Sequence, residues 1–285
     1  MCSEQEPPQD WTSKPFEDFL GYINNVMQVL HLTVRGISMI PGGPETVRVL
    51  ARYYQARNLL KDTQQDLEIA EMNAKLAQRE IDSGFALIHA QVTVSLWGAL
   101  EDLVRTFAAQ WILHRPEILQ QEPFANFKIK LGDYETSDGE QRAYYLAELL
   151  EQSVGAPLKL GVARFESIFS ALGLSGALNE ATKRSLYELQ QIRNVIVHKR
   201  GIADKKLCNG CPWLGLTPGT HVAVTHEMVY SYWEALGSYA TELIYRMGDF
   251  WGYRIREPER ATEQQERERQ SEPPSSSHDT PPAPE

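Results

Sequence analysis

Arg193, Asn194 and His198 fall within six residues of one another, and they are the strongest chemical grouping in the chain. Histidine, with an ordinary pKa near ~6.5, can take or give a proton around neutrality, and in a suitable position that is worth roughly 10²–10⁴-fold in rate. Arginine supplies a permanent planar fork that matches the oxygens of a phosphate. Together they suit RNA cleavage without a metal. That reaction needs a base for the 2′-hydroxyl, an acid for the leaving 5′-oxygen, and positive charge against the phosphorane-like transition state. One histidine cannot be base and acid at once, so this chemistry calls for two copies of the set. Asn194, one turn from His198, is placed to hold the phosphate or to fix the imidazole tautomer. The plainer alternative is a surface arginine beside a histidine that the negative end of a helix dipole favours.

These residues need a helix to carry them. At about 100° per residue, Leu189, Ile192 and Ile196 share one face while Tyr187, Gln191, Asn194 and His198 line another. Arg193 lies roughly 140° around from His198, within the swing of its long stem. Asn179 or Ala181 is expected to open this helix, which runs to about Lys199. The chain carries a formal charge of −10, but unevenly. Residues 183–206 hold seven basic side chains against two acidic ones, whereas residues 257–285 hold eight acidic against three basic. Lys199, Arg200 and Gln191 are therefore candidate substrate-binding residues, although a solvated charged face is the commoner reason for such a run.

Arg193-Asn194-x-x-x-His198, followed by Lys199-Arg200-Gly201-Ile202-Ala203-Asp204, resembles the Arg-polar-x(n)-His signature of HEPN domains. Val222-Ala223-Val224-Thr225, leading into a last helix, extends the resemblance, which covers about residues 180–245 and is only architectural upstream. It implies an all-α bundle that pairs as a homodimer, with Arg193, Asn194 and His198 of both protomers meeting in one cleft to cleave RNA without metal. It implies as well a setting such as a toxin–antitoxin or anti-phage system, with an antitoxin or regulatory protein as a possible partner. HEPN-like helices often carry an acidic residue near the position of Glu101, so Glu101 is a candidate support for Arg193. Its other reading is an exposed i,i+4 pair with Arg105, worth about 0.2–0.5 kcal/mol. The rival function is a HEPN-like module that binds nucleotide, RNA or protein and cuts nothing.

No cofactor is expected, since neither Gly-x-Gly-x-x-Gly nor a Walker-type loop occurs. Cys208-x-x-Cys211 with His221 and His226 has the inventory of a zinc site but not a standard finger spacing, so no metal is expected. Three cysteines, no secretory signal at the N-terminus and no uninterrupted apolar span point to a cytoplasmic protein without a membrane segment.

The remaining pattern predicts one domain over residues 15–256, between a disordered stretch at 1–14 and a disordered acidic tail at 257–285. Helices are expected from Phe16 to Leu32 and from Glu45 to about Asp82. The second of these has a small-residue seam at Leu67, Ala70, Ala74, Ala77 and Ile81, as suits a long helical hairpin. Another is expected over Phe85–Leu113, with Asp82 and Ser83 as caps. Residues 116–139 read as a loop region with room for one short turn, and helices follow over Gln141–Gln152 and Leu158–Leu172. A small β-hairpin or extended loop is predicted between Gly201 and Thr225, before a last helix to about Tyr253.

Overall fold

Apolar residues recur at helical spacing along most of the chain, and the computed structural model is built from helices; it describes residues 10–59, 62–253 and 255. The longer elements are α1 (Asp10–Met39), α2 (Gly43–Ala56), α3 (Gln64–Asp82) and α4 (Ala86–His114). After them come α5 (Leu131–Thr136), α6 (Gly139–Ser153), α7 (Ala163–Ala171) and α8 (Glu180–Lys199), then α9 (Lys205–Gly210) and α10 (His226–Phe250). Helix α4 is the axis. Leu96, Trp97, Leu100, Leu103, Val104, Phe107 and Trp111 are all buried along it, and α1, α6, α8 and α10 pack around it. A helix that is apolar nearly all round must be enclosed by others. No single described helix is long and apolar enough to cross a membrane; α3 and α4 pass such a test only as a pair bent by 65°.

Several boundaries differ from those expected. Helix α1 begins at Asp10, inside the stretch expected to be disordered, because Trp11 stacks on His114 with ring centroids 4.6 Å apart and meets Trp111 edge-on. The long helix expected over residues 45–82 is broken. Asn58 takes a left-handed conformation (φ 55°) that ends α2, with the Leu59 amide donating to the Tyr54 carbonyl. The expected small-residue seam of α3 then serves to pack it on α2, where a Cβ on Gly43 would meet that of Ala70 at 4.0 Å. Asp82 and Ser83 do not cap α4. Ser83 closes α3 instead, and Phe85 stands at the N-cap of α4 with φ 60° and no capping side chain. Residues 116–139, expected as loop, contain α5 and two 3-10 turns, Pro116–Gln120 and Phe124–Asn126.

The expected hairpin before the last helix is not formed: among the described residues there is no β-strand. Ile202 and His221 make an isolated antiparallel bridge, joined by bonds from the Ala203 amide to Thr220 O and from the Val222 amide to Gly201 O. Between them Asp204 caps α9 by accepting from the Leu207 amide at 2.9 Å, while Leu207 and Cys211 are buried. A capped turn that buries two apolar side chains outcompetes extended pairing here.

The motif helix is as expected at both ends. The Asn179 side chain accepts from the Thr182 amide at 2.7 Å, and the helix runs to Lys199, with Arg200 (φ 56°) and Gly201 (φ 76°) closing it in the left-handed region. Leu189 and Ile192 are wholly buried on its inner face, while Val197 is exposed. Leu189→Ala should therefore cost about 2–5 kcal/mol and Val197→Ala less than about 0.5 kcal/mol in urea unfolding. Equal costs would mean that the inner face of α8 is not the one described.

Candidate functional site

Arg193 leaves α8 toward α4, where one of its terminal nitrogens lies 3.7 Å from a Glu101 carboxylate oxygen. Its other terminal nitrogen donates to Asn194 Oδ1 at 3.4 Å, a long bond, and its Nε is buried without a partner among the described residues. Glu101 is shared. Arg164, from the start of α7, donates to it at 2.9 Å and donates from two further nitrogens to Glu151 of α6. Two carboxylates thus hold two guanidinium groups at the junction of α4, α6, α7 and α8. Glu101 faces this network and not Arg105, its i,i+4 neighbour. Arg164 and Glu151 went unseen in the sequence because they sit on short helices with no spacing relation to the motif.

The polar face of α8 is divided. Gln191, a candidate for substrate contact, is buried and donates to Gln190 Oε1, which in turn accepts from the Gly161 amide at 2.6 Å. Tyr187 is covered as well. Its backbone and ring crowd Gly161, where a Cβ would lie 3.1–3.2 Å from Tyr187 atoms, and its hydroxyl lies against Gly210. Gln191 therefore cannot reach a ligand without unpacking the loop before α7, which corrects the expected substrate-binding role. The second half of the face remains open: His198, Lys199 and Arg200 are all exposed, and Asn194 is half-buried. His198 makes no hydrogen bond among the described residues, so the tautomer-fixing contact considered for Asn194 is absent there.

The second arginine cluster in the fold is built differently. Arg246 of α10 is almost fully buried and donates to both oxygens of Glu166 at 2.9 and 3.0 Å, to Glu242 at 3.2 Å and to the Leu174 carbonyl at 3.3 Å. Tyr239 donates to the same Glu166 at 2.8 Å, and burial holds its phenol far above the ordinary range. That is a buried structural cluster in which only Nη2 of Arg246 lacks a partner among the described residues, whereas Arg193 keeps a quarter of its side-chain surface and a loose partner.

No group of three or more His, Cys, Asp or Glu among the described residues could hold a metal ion. Cys211 is buried, and desolvation, followed by the charge of Glu188, pushes its thiol up to about 12, so it stays protonated and packs as a small apolar group. The acidic stretch 257–285 lies outside the described residues, as do residues 1–9. Comparison with protein-family models, with curated proteins and with solved structures finds no match for this chain.

The two arginines of the network should respond differently to removal. Arg164→Met strips both carboxylates of their closest donor and should cost about 1–3 kcal/mol, whereas Arg193→Met, losing one loose pair, should cost less than about 1 kcal/mol. Denaturant midpoints test the order, and a costlier Arg193 variant would make that residue part of the scaffold.

Proposed function

We propose that this chain is a metal-independent endoribonuclease of the HEPN type that works as a homodimer. The supporting observation is the posture of Arg193: backed by Glu101 on one side only, a quarter exposed, and on the helix that carries the open residues His198, Lys199 and Arg200. A carboxylate at 3.7 Å orients a guanidinium without saturating it, leaving donors for phosphate oxygens. His198 of one protomer takes the proton of the 2′-hydroxyl, whose oxygen attacks phosphorus. The leaving 5′-oxygen takes a proton from the partner protomer's copy of the same histidine, and the product ends are a 2′,3′-cyclic phosphate and a 5′-hydroxyl. Lys199 and Arg200 supply attraction for the RNA backbone that weakens with salt. Val197 and Ile202, exposed on either side of His198 in sequence, suit packing about a two-fold axis. A setting in toxin–antitoxin or anti-phage systems, with a protein that restrains the enzyme, rests on the resemblance alone.

One observation favours a second reading, in which the module binds RNA through Arg193, Lys199 and Arg200 and does not cut it. His198 has no group to orient it among the described residues, and an unoriented imidazole is a poor general base. Incubation of the purified protein with total RNA in EDTA separates the two. For a nuclease, fragments appear with 2′,3′-cyclic phosphates; His198→Ala abolishes them while RNA binding persists, and Arg193→Ala impairs both. For a binder, RNA stays intact throughout and only Arg193→Ala weakens binding. Products bearing 5′-phosphates that require a divalent metal would refute both assignments.

A further inference from the structure

Away from the motif, α1, α4 and α10 enclose a cleft of about 760 Å³ whose polar side chains include three histidines: His31, His89 and His226. The His226 ring lies 5.8 Å from that of His31 and 5.7 Å from that of His89, measured between centroids. His89 is only 2% exposed, and neither of its ring nitrogens makes a hydrogen bond among the described residues. A buried imidazole whose nearest acceptors, the Val224 and Gly84 carbonyls, form no well-aligned hydrogen bond with it is costly to keep, and one that lines a cleft is placed to meet a ligand there. Arg35 and Gln28 add further donors at the rim, and among the described residues no acidic side chain lines the space. The cleft also touches two helix N-termini. Helix α10 starts at His226, and α4 follows Gly84 and Phe85, with no side chain capping its first amides. The Thr225 side chain already accepts from the Met228 amide of α10, so the amides open to an anion are those of α4, while the positive end of the dipole acts at both. Leu32, Val34 and Phe85 give the same cleft an apolar wall.

We propose that this cleft binds a small organic anion, with its charged head among His89, His226 and Arg35 and its apolar body along Leu32 and Phe85. The size suits such a ligand, since small-molecule sites run to roughly 300–1,000 Å³ and combine apolar walls with a few convergent polar groups. The site has a pH signature. Burial, and next the neighbouring His226, hold the His89 pKa below the ordinary value, against a weaker pull from the Val224 and Gly84 carbonyls and from Glu227. The charged and titratable groups facing His89 are therefore His226 and Glu227 from α10, with His31 and Arg35 across the cleft on α1. An anion bound beside His89 favours its protonated form and raises its pKa in the complex. Binding then takes up a proton and tightens as pH falls.

Titration calorimetry on the full chain tests this, with phenyl phosphate and benzoate as probes and inorganic phosphate and benzyl alcohol as half-probes. At least one full probe should bind about tenfold more tightly than its matching halves. Its affinity should rise by about tenfold from about pH 8 to about pH 6, with proton uptake read from buffers of different ionisation heat. His89→Gln and the more accessible His226→Gln should each lower affinity by about tenfold and flatten the pH profile, while Glu227→Gln tightens binding. Using two histidine variants guards against a loss of folding in the buried one. The proposal fails if neither probe binds, or if both histidine variants bind like the wild type. It fails equally if Arg193→Ala alone removes binding, which would place the anion at the motif, or if Zn²⁺ alone binds these histidines.

Discussion

Enclosure of α4 is the constraint on which the fold depends. Its side chains are apolar on most sides, with only a narrow stripe at Gln91, Gly98, Asp102 and Arg105 left to water, so α1, α6, α8 and α10 all pack on it. Polar groups on such a helix carry a cost unless they are satisfied, which makes the exceptions informative. Thr93 is satisfied locally, donating to the His89 carbonyl at 2.8 Å. Glu101 is satisfied by two arginines from other helices, and His89 by nothing among the described residues. Both candidate sites therefore hang from polar residues of the same buried helix, separated by about 18 Å at 1.5 Å rise per residue.

The two arginine clusters show how one residue type serves opposite ends. Arg246 spans both oxygens of one carboxylate from a single nitrogen and adds a second carboxylate and a carbonyl, at almost no exposure, and removing it would leave Glu166 with only the Tyr239 hydroxyl among these partners. Arg193 shares Glu101 with a better-placed competitor, Arg164, which leaves its own contacts long and its Nε without a partner among the described residues. A ligand phosphate competes with the loose contact of Arg193 far more readily than with the four contacts of Arg246.

Periodicity made α8 legible: Leu189 and Ile192 turn inward, Asn179 caps it, and Gly201 follows its end as a residue that tolerates positive φ. The same periodicity misplaced Gln191. A polar residue on a polar face reads as solvent-exposed, and nothing in the local pattern shows that the Gly161 loop comes back over that face and donates its amide to Gln190. Turn chemistry accounts for other departures. Asn58 supplies the left-handed residue that ends α2, and Asp204 caps α9 within the stretch expected as a small hairpin or extended loop.

The histidine cleft illustrates the deeper limit. In the sequence His89 merely interrupts an apolar run, His31 lies on the exposed side of an amphipathic helix, and His226 is the first residue after a cap. Each has an ordinary local explanation, and 137 positions separate His89 from His226. Their proximity arises only because α1 and α10 must both cover α4, and because the helix-opening residues of α4 and α10 then fall at the same end of the bundle. The ring spacing is thus a by-product of core enclosure. The poor pairing of His89, with only the Val224 and Gly84 carbonyls near its ring, carries a cost that an apolar side chain there would not.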